Sequence, residues 1–261
     1  MTTSLFYHVC GNGRPLVWLH GWGVNGSVFL PTVAQLPQYR SYCVDLPGFG
    51  DSPPCVGTLD DWAERLITAM PADAIWIGWS LGGLLAMHIA RRWPQRVKAL
   101  ITVASSPCFM AQTTPPWPGI APQVLQQFEQ QLQQDLARTV ERFLAIQAMG
   151  SATARDDIRH IKELVLAKPL PDADALAQGL MMLKQVDLRP EMSAISQPWL
   201  RIWGRLDGLV SRRLPPLLPV SGLTTDVMLP KASHAPFISH PQEFLQHLQD
   251  WLPTKGFNSS L

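Results

Sequence analysis

The chain has 261 residues, 46 % of them hydrophobic and only 16 % charged, which suits a globular protein and excludes a disordered one. Its 21 Lys and Arg residues nearly balance 20 Asp and Glu residues, so the net charge of +1 argues against a nucleic-acid-binding protein. No signal-peptide pattern and no apolar run of about 18 residues occur, so we expect a cytoplasmic protein without a membrane span. The four cysteines contain no C-x-x-C pair, which disfavours a zinc site.

The first hundred residues predict alternating strands and helices. Two apolar runs, 4–9 and 15–19, flank Gly11-Asn12-Gly13, and this combination predicts a β-hairpin. Strands that alternate with helices indicate a mostly parallel sheet covered on both faces. The further strands are predicted at 40–44, 74–79 and 97–104, and the helices at 59–70 and 81–93.

The pattern changes near Ser106, where prolines punctuate a loop that extends to Pro122. Helical periodicity then runs from 123 to 168, and no strand is expected before Trp199. The α/β pattern returns with strands at 199–203 and 225–229 and a helix at 241–251. We therefore predict an α/β fold with a two-part division. Residues 1–110 and 187–261 form the core, and residues 111–186 form an inserted helical lid over the functional edge of the sheet.

The strongest chemical signal is Gly78-Trp79-Ser80-Leu81-Gly82, which matches G-x-S-x-G between a predicted strand and a predicted helix. Glycines at both ends allow a sharp turn that exposes the Ser80 hydroxyl at its apex. The start of the following helix offers free N–H groups and a positive potential. Ser80 is therefore the candidate nucleophile.

A serine nucleophile needs a base, and hydrolases with this turn carry the acid and then the histidine later in the chain. His234 follows the last predicted strand and is the candidate base. His240 is the rival, although it resembles a helix start. We expect His88, inside a helix, to be packed or on the surface, and His160, in the lid, to be solvated.

Asp207 directly follows the strand at 199–203 and is the candidate acid, which would hold His234 in the useful tautomer. A simple turn aspartate before Gly208 fits the local sequence nearly as well. Asp45 and Asp187 are the other candidates, and each is more typical of a loop cap.

Acyl transfer also requires hydrogen-bond donors that stabilise the oxyanion of the tetrahedral intermediate. One candidate is the backbone N–H of Leu81, immediately after the nucleophile. The other is the backbone N–H of Trp22, in His20-Gly21-Trp22-Gly23 after an early strand, with the Trp22 ring as a pocket wall. A plain glycine turn is the alternative explanation of this second motif.

The segments HGWG, DLPGFG, GWSLGG, GRLDGLV and SHAPFISHP together resemble the α/β-hydrolases. More narrowly, GWSLGG, VASSPCF, RTVERFLAIQ and SHAPFISHP resemble the pimeloyl-[acyl-carrier protein] methyl ester esterases of biotin synthesis. The lid segment RTVERFLAIQ is the more specific evidence, because lids differ widely among hydrolases. The similarity extends from about residue 17 to 244.

The resemblance implies that Ser80, His234 and Asp207 cleave the methyl ester of pimeloyl-acyl carrier protein through an acyl-enzyme, without a cofactor or a metal. It also implies that Trp22 and Leu81 hold the oxyanion. A further set would line the acyl channel: Phe143, Leu144, Ala145, Ile146 and Gln147.

Four lid arginines, Arg138, Arg142, Arg155 and Arg159, occur in two pairs with i, i+4 spacing. Like charges at this spacing slightly destabilise a helix, so the binding of an anionic partner would explain why the arginines are there. The resemblance implies that they dock the acidic carrier protein. A solvated face whose charges pair among themselves is the alternative. Phe143 could likewise belong to the lid core.

Two other functions remain open at this point. One is a broader carboxylesterase or thioesterase for small acyl esters, which the triad cannot distinguish from a carrier-protein esterase. The other is a hydrolase-fold binding protein without catalysis, although it would have no need for all three triad residues. Serine at position 80 disfavours a dehalogenase. We expect no nucleic-acid or membrane partner and a monomer.

Overall fold

A computed structural model describes residues 4–148 and 154–257, apart from the side chains of Leu136, 146–148 and Ala154. Within this part of the chain, no helix combines the length and apolar character that a bilayer crossing requires. The strands are β1 (Tyr7–Cys10), β2 (Pro15–Leu19), β3 (Arg40–Val44), β4 (Ala74–Trp79), β5 (Val97–Val103), β6 (Gln112–Thr113), β7 (Pro116–Trp117), β8 (Trp199–Gly204) and β9 (Thr224–Leu229). The α-helices are α1 (Leu30–Val33), α2 (Leu59–Ala69), α3 (Leu81–Arg92), α4 (Pro122–Gln134), α5 (Leu136–Ala148), α6 (Ala154–Leu166), α7 (Ala173–Gln185), α8 (Pro236–Ser239) and α9 (Pro241–Thr254).

The described strands include a seven-stranded sheet in the order β1-β3-β2-β4-β5-β8-β9. Every neighbouring pair in it is parallel except β1 with β3. All six residues of β4 and all six of β8 are buried, as expected for central strands that are covered on both faces. The prediction of a mostly parallel α/β sheet is confirmed.

The predicted hairpin of β1 and β2 was wrong, because β3 lies between these two strands. β1 pairs antiparallel with β3, with Tyr7 opposite Val44, whereas β2 runs parallel to β3. Burial explains the order. Residues 16–19 of β2 are fully buried and suit an interior strand, whereas β1 is partly exposed and forms the edge. The intervening turn is held elsewhere, since the Asn12 N–H donates to the Pro37 carbonyl oxygen.

The helical region of the predicted lid divides into separate helices. α4 and α5 meet at Asp135, whose carboxylate accepts the backbone N–H of Arg138 and so caps the start of α5. α4 to α7 occupy residues 122–185, between β5 and β8, which are neighbours in the sheet. The expectation of no strand before Trp199 was wrong, because β6 and β7 pair antiparallel there. Two residues per strand are too few to give a periodic pattern in the sequence. The division of the chain at 111 and 186 stays a prediction.

Two hydrogen bonds to backbone carbonyl groups attach the helical segment to loops at the edge of the sheet. The Trp22 indole N–H donates to the Leu176 carbonyl oxygen in α7 at 2.8 Å. Just before that helix, the Asp172 N–H donates to the Gly48 carbonyl oxygen, also at 2.8 Å. The start of α7 is therefore attached to two loops that follow β2 and β3.

A buried ion cluster adds a third attachment. The Lys168 ammonium lies 2.6 Å from Asp45 Oδ2, 3.1 Å from Asp51 Oδ2 and 4.0 Å from the centre of the Phe6 ring. The Asp45 side chain is fully buried, and its other oxygen accepts the Gly26 N–H at 2.8 Å. Such a carboxylate depends on its cation, because water cannot solvate it. The segment between α6 and α7 is thereby fixed to the core.

Lys168→Met should lower the free energy of unfolding by about 3–5 kcal/mol, because it leaves the Asp45 carboxylate buried without a cation. Urea denaturation measures this change. Lys162→Met is the matched control: its ammonium lies 2.8 Å from Glu141 Oε1 in a more exposed pair, so its loss should be at most about 1 kcal/mol. Equal losses in the two variants would contradict the assigned role of the cluster.

Candidate active site

The candidate nucleophile, acid and base meet at one edge of the sheet. Ser80 directly follows β4, Asp207 lies in the loop after β8, and His234 lies in the loop after β9. The carboxyl ends of parallel strands lie at the same edge, so residues that are distant in sequence come together there.

Ser80 stands on a strained turn between β4 and α3. Its φ of +54° and ψ of −118° lie in a region that costs a non-glycine residue about 1–3 kcal/mol. The Ser80 N–H donates to the Val103 carbonyl oxygen of β5 at 3.0 Å, which helps to hold the turn. A Cβ at Gly78 would lie 2.3 Å from the Gly82 carbonyl oxygen, and one at Gly82 would lie 2.2 Å from that of Leu19. This turn therefore requires glycine at both positions.

A continuous chain of hydrogen bonds joins the three side chains. The Ser80 hydroxyl donates to His234 Nε2 across 3.0 Å, and the His234 Nδ1–H donates to Asp207 Oδ2 across 2.8 Å. An ionised carboxylate can only accept hydrogen bonds, so the imidazole proton lies on Nδ1, which faces Asp207. The lone pair of Nε2 therefore faces the Ser80 hydroxyl. Ser80 is 2 % exposed and His234 is fully buried.

Neighbouring groups fix the acid and the base in place. Asp207 Oδ1 accepts the backbone N–H groups of Leu209 at 2.8 Å and Val210 at 3.0 Å. Its other oxygen is thereby left to His234. The Trp79 indole N–H donates to the His234 carbonyl oxygen at 2.7 Å, which ties the loop after β9 to the end of β4.

The other candidate histidines are engaged elsewhere. His240 lies between α8 and α9, with Nδ1 2.9 Å from Ser239 Oγ. His88 is packed inside α3, where Nε2 lies 2.8 Å from Asp60 Oδ1 and burial lowers the pKa of the imidazole. His160 is exposed on α6.

The other candidate acids are also engaged away from His234. Asp45 holds the Lys168 ammonium described above. Asp187 accepts hydrogen bonds from the Arg189 guanidinium, and this interaction holds the pKa of the carboxyl below its usual value.

The two segments with the candidate oxyanion donors both adjoin Ser80. Leu81 begins α3, so its N–H has no acceptor inside the helix and lies at the positive end of the helix dipole. Trp22 follows Gly21, and a Cβ built on Gly21 would lie 3.2 Å from Ser80 Cβ.

The Trp22 ring is buried against aromatic residues of the helical segment. Its centre lies 4.8 Å from that of Phe143, in an edge-to-face contact, and 6.4 Å from that of Phe128. Leu144 is also buried, whereas Ala145 lines a separate cavity of about 690 Å³ beside α4, α5 and α6. Consecutive helical residues point in different directions, so the predicted channel run is divided between faces. The side chains of Ile146 and Gln147 lie outside the described part of the structure.

The four candidate docking arginines are all exposed, Arg138 and Arg142 on α5 and Arg155 and Arg159 on α6. Arg138 and Arg142 line the cavity beside α4, α5 and α6. The Arg142 guanidinium lies 6.0 Å from the centre of the Phe128 ring. Arg159 pairs with Asp156 at 3.0 Å in a solvent-exposed contact, which is weak and leaves the guanidinium accessible.

Two residues near the nucleophile were not predicted. Trp79 supports the His234 loop, and the buried Ser105 hydroxyl donates to the Ser80 carbonyl oxygen at 2.7 Å. The signal for Ser105 was its place two residues after the end of β5, which lies beside β4 in the sheet and ends at the same edge.

Within residues 4–148 and 154–257, the His, Cys, Asp and Glu residues form no group of three or more that could hold a metal ion. All four cysteines are free, and burial raises the pKa of the Cys55 and Cys108 thiols.

A family model for the alpha/beta hydrolase fold matches residues 14–241, most of the chain. The chain belongs to the α/β-hydrolase family. This α/β-hydrolase is 60 % identical over 253 residues to the pimeloyl-[acyl-carrier protein] methyl ester esterase of Shewanella woodyi, covering 97 % of this chain and 99 % of that protein. It is 50 % identical to the protein of the same name from Edwardsiella ictaluri, covering 93 % of this chain and 95 % of that one. The resemblance inferred from the sequence is confirmed.

Solved structures support the fold of this α/β-hydrolase. An esterase from Exiguobacterium antarcticum superposes with a TM-score of 0.83 at 19 % identity, covering 95 % of each chain. A bromoperoxidase from Bacillus anthracis superposes with a TM-score of 0.82 at 17 % identity, also covering 95 % of each chain. At these sequence identities the similarity shows a shared fold and not a shared activity. The two proteins, an esterase and a bromoperoxidase, themselves have different activities on this fold.

The geometry of the triad predicts that a fluorophosphonate probe labels this hydrolase once, at Ser80. Labelling should be absent in Ser80→Ala. It should be slower by about 10³-fold or more in Asp207→Asn, because the amide favours the wrong imidazole tautomer. Intact-protein mass spectrometry over time measures these rates, with Ser211→Ala as the control. Labelling of Ser80→Ala, or an unchanged rate in Asp207→Asn, would contradict the assignment.

Proposed function

We propose that this α/β-hydrolase is a serine carboxylesterase that converts pimeloyl-[acyl-carrier protein] methyl ester and water into pimeloyl-[acyl-carrier protein] and methanol, a step of biotin synthesis. The observation that carries the proposal is the 60 % identity to an esterase of that name over 97 % of this chain. This match includes the helical segment above the site as well as the core. The segment matters for substrate choice, because the triad by itself serves many acyl substrates.

In the acylation step, the Ser80 oxygen attacks the ester carbonyl carbon while His234 Nε2 takes the hydroxyl proton. Asp207 stabilises the imidazolium that forms. The backbone N–H groups of Trp22 and Leu81 donate to the oxyanion of the tetrahedral intermediate. His234 then returns the proton to the departing methoxide, and methanol leaves an acyl-enzyme on Ser80.

Deacylation repeats these roles with water as the nucleophile. His234 takes a proton from the water as its oxygen attacks the acyl carbon, and then protonates Ser80 as the acyl–oxygen bond breaks. The products are the free carboxylate and the original enzyme. No step needs a metal or a cofactor.

The acyl chain reaches Ser80 beneath the helical segment, along the wall that Trp22, Phe143 and Leu144 form. These side chains are buried and apolar, which suits a methylene chain. Ser80 is only 2 % exposed, so the side chains above it must move before a carrier-linked chain can enter. The proposed channel continues through Ala145, Ile146 and Gln147.

The carrier protein docks on the arginines of α5 and α6. All four are exposed, and Arg138 and Arg142 lie on the α5 helix that also carries Phe143. An acidic carrier would gain charge-assisted contacts there, and its attached chain would begin close to the helix that covers the nucleophile. The enzyme acts as a monomer in the cytoplasm.

Purified wild-type protein should demethylate pimeloyl-[acyl-carrier protein] methyl ester, lowering the mass of the carrier by one CH₂ unit. Ser80→Ala should be slower by a factor of about 10⁴ or more, because the nucleophile is lost. Mass spectrometry of the carrier gives both rates, and a short free methyl ester is assayed in parallel. Cleavage of the short ester alone would make the protein a broad carboxylesterase. Cleavage of neither substrate would favour a non-catalytic binding protein.

Reversal of two docking arginines, in the double variant R138E/R142E, should lower kcat/KM for the carrier-linked ester by about 10²-fold or more, because attraction becomes repulsion. Its rate on the short free ester should stay within about twofold. The control is the double variant Arg92→Glu with Lys98→Glu, an equal charge change at the end of α3 and the start of β5, near the amino ends of the parallel strands. Equal loss on both substrates, or an equal effect of the control, would leave the arginines a solvated face.

A further inference from the structure

His20 is a buried titratable residue that the proposed mechanism does not use. It directly follows β2 and begins the loop that carries Trp22. The side chain is fully buried, and the Phe49 ring packs against it with the ring centres 5.3 Å apart. A buried imidazole without a catalytic task needs a physical explanation, because it must satisfy two polar nitrogens away from water.

Two hydrogen bonds fix the ring and its proton. The Leu46 backbone N–H donates to His20 Nε2 at 2.9 Å, so this nitrogen carries the lone pair. The proton therefore lies on Nδ1, which donates to the Gly21 carbonyl oxygen at 2.7 Å. Burial lowers the pKa of His20 to about 4, and Lys168 acts in the same direction, while the Gly21 hydrogen bond and Asp45 oppose the shift. One neutral tautomer is thus present near pH 7.

The bond to Gly21 determines the direction of the next amide. The Gly21 C=O and the Trp22 N–H belong to one peptide group, and in a trans peptide they point in opposite directions. Because the carbonyl is held toward His20, the Trp22 N–H is directed away from it. This N–H donates to no acceptor among residues 4–148 and 154–257. Gly21 itself adjoins the nucleophile, since a Cβ there would lie 3.2 Å from Ser80 Cβ.

We propose that His20 is a positioning residue that locks the Gly21–Trp22 peptide plane and so presents the Trp22 N–H to the oxyanion. The inference rests on the proposed function, since it assumes Ser80 as nucleophile and Trp22 as a donor. The hydrogen bond to the Gly21 carbonyl also polarises the peptide, which makes the Trp22 N–H a stronger donor. The bond from Leu46 joins this loop to the one after β3, so the ring cannot turn away.

Two substitutions at His20 remove its two hydrogen bonds one at a time. Asparagine can place an amide N–H₂ where Nδ1 stands and keep the donor to Gly21, while it loses the acceptor for Leu46. Glutamine can place its oxygen where Nε2 stands and keep that acceptor, while it loses the donor to Gly21. The proposal expects kcat on a short free ester to fall by about 30- to 100-fold in His20→Gln with KM within twofold, and by less than about fivefold in His20→Asn.

A transition-state analogue distinguishes positioning from a loss of structure. A trifluoromethyl ketone forms an oxyanion when Ser80 adds to it, so its affinity should fall in His20→Gln in proportion to kcat/KM. His88→Gln, a change at another buried histidine, should lower the urea midpoint and leave this affinity unchanged. Parallel losses of activity in the Gln and Asn variants, tracking their urea midpoints, would overturn the proposal.

A measurement on the wild-type protein covers the case in which a variant does not fold. Nitrogen-15 spectra of the imidazole should show His20 with its proton on Nδ1 from pH 8 down to about pH 5. An Nε2–H tautomer, or protonation near pH 6.5, would overturn the proposal. If wild-type protein hydrolyses no ester, the proposed function fails. If it hydrolyses the short ester and His20→Gln keeps its kcat, only the role of His20 fails.

Discussion

The backbone of Ser80 has a positive φ of +54°, which few residues other than glycine adopt, and the arrangement of the site depends on it. Close packing and hydrogen bonds around the turn hold the Ser80 backbone in this conformation. β4 and α3 approach so closely at Gly78 and Gly82 that a side chain at either position would collide with backbone. The Ser80 carbonyl oxygen accepts the Ser105 hydroxyl, and its N–H reaches β5. Strain of about 1–3 kcal/mol is small against this packing, and it directs the hydroxyl toward His234.

The sheet then supplies the other groups in a fixed relation to that turn. Each comes from a loop at the carboxyl edge, where a few residues after a strand can carry chemistry without weakening the ladder. Asp207 is held by two backbone N–H groups and His234 by the Trp79 indole, so acid and base are preorganised before substrate binds. Preorganisation of this kind lowers the reorganisation that the transition state would otherwise require.

The helical segment between β5 and β8 covers the same edge, and under the proposed function it selects the substrate that reaches Ser80. Trp22 belongs both to the proposed oxyanion loop and to the aromatic contact with Phe143, so the position of the segment and the geometry of the site are coupled through one residue. The Lys168–Asp45 ion pair adds a buried attachment below it. The segment is therefore anchored at its end and exposes arginines on α5 and α6, and under the proposed function a carrier-linked chain passes beneath it.

The sequence by itself determined the α/β class, the position of the nucleophile turn and the order Ser, Asp, His, because these depend on local periodicity, on glycine at tight turns and on chain order. Only the tertiary structure decided that β3 separates β1 from β2, since strand order depends on which strands must be buried on both faces. It likewise divided the run from Phe143 to Ala145 between two faces of α5. It also revealed the contacts of His20, Ser105 and Lys168, because hydrogen bonds between residues far apart in sequence leave no periodic signal along the chain.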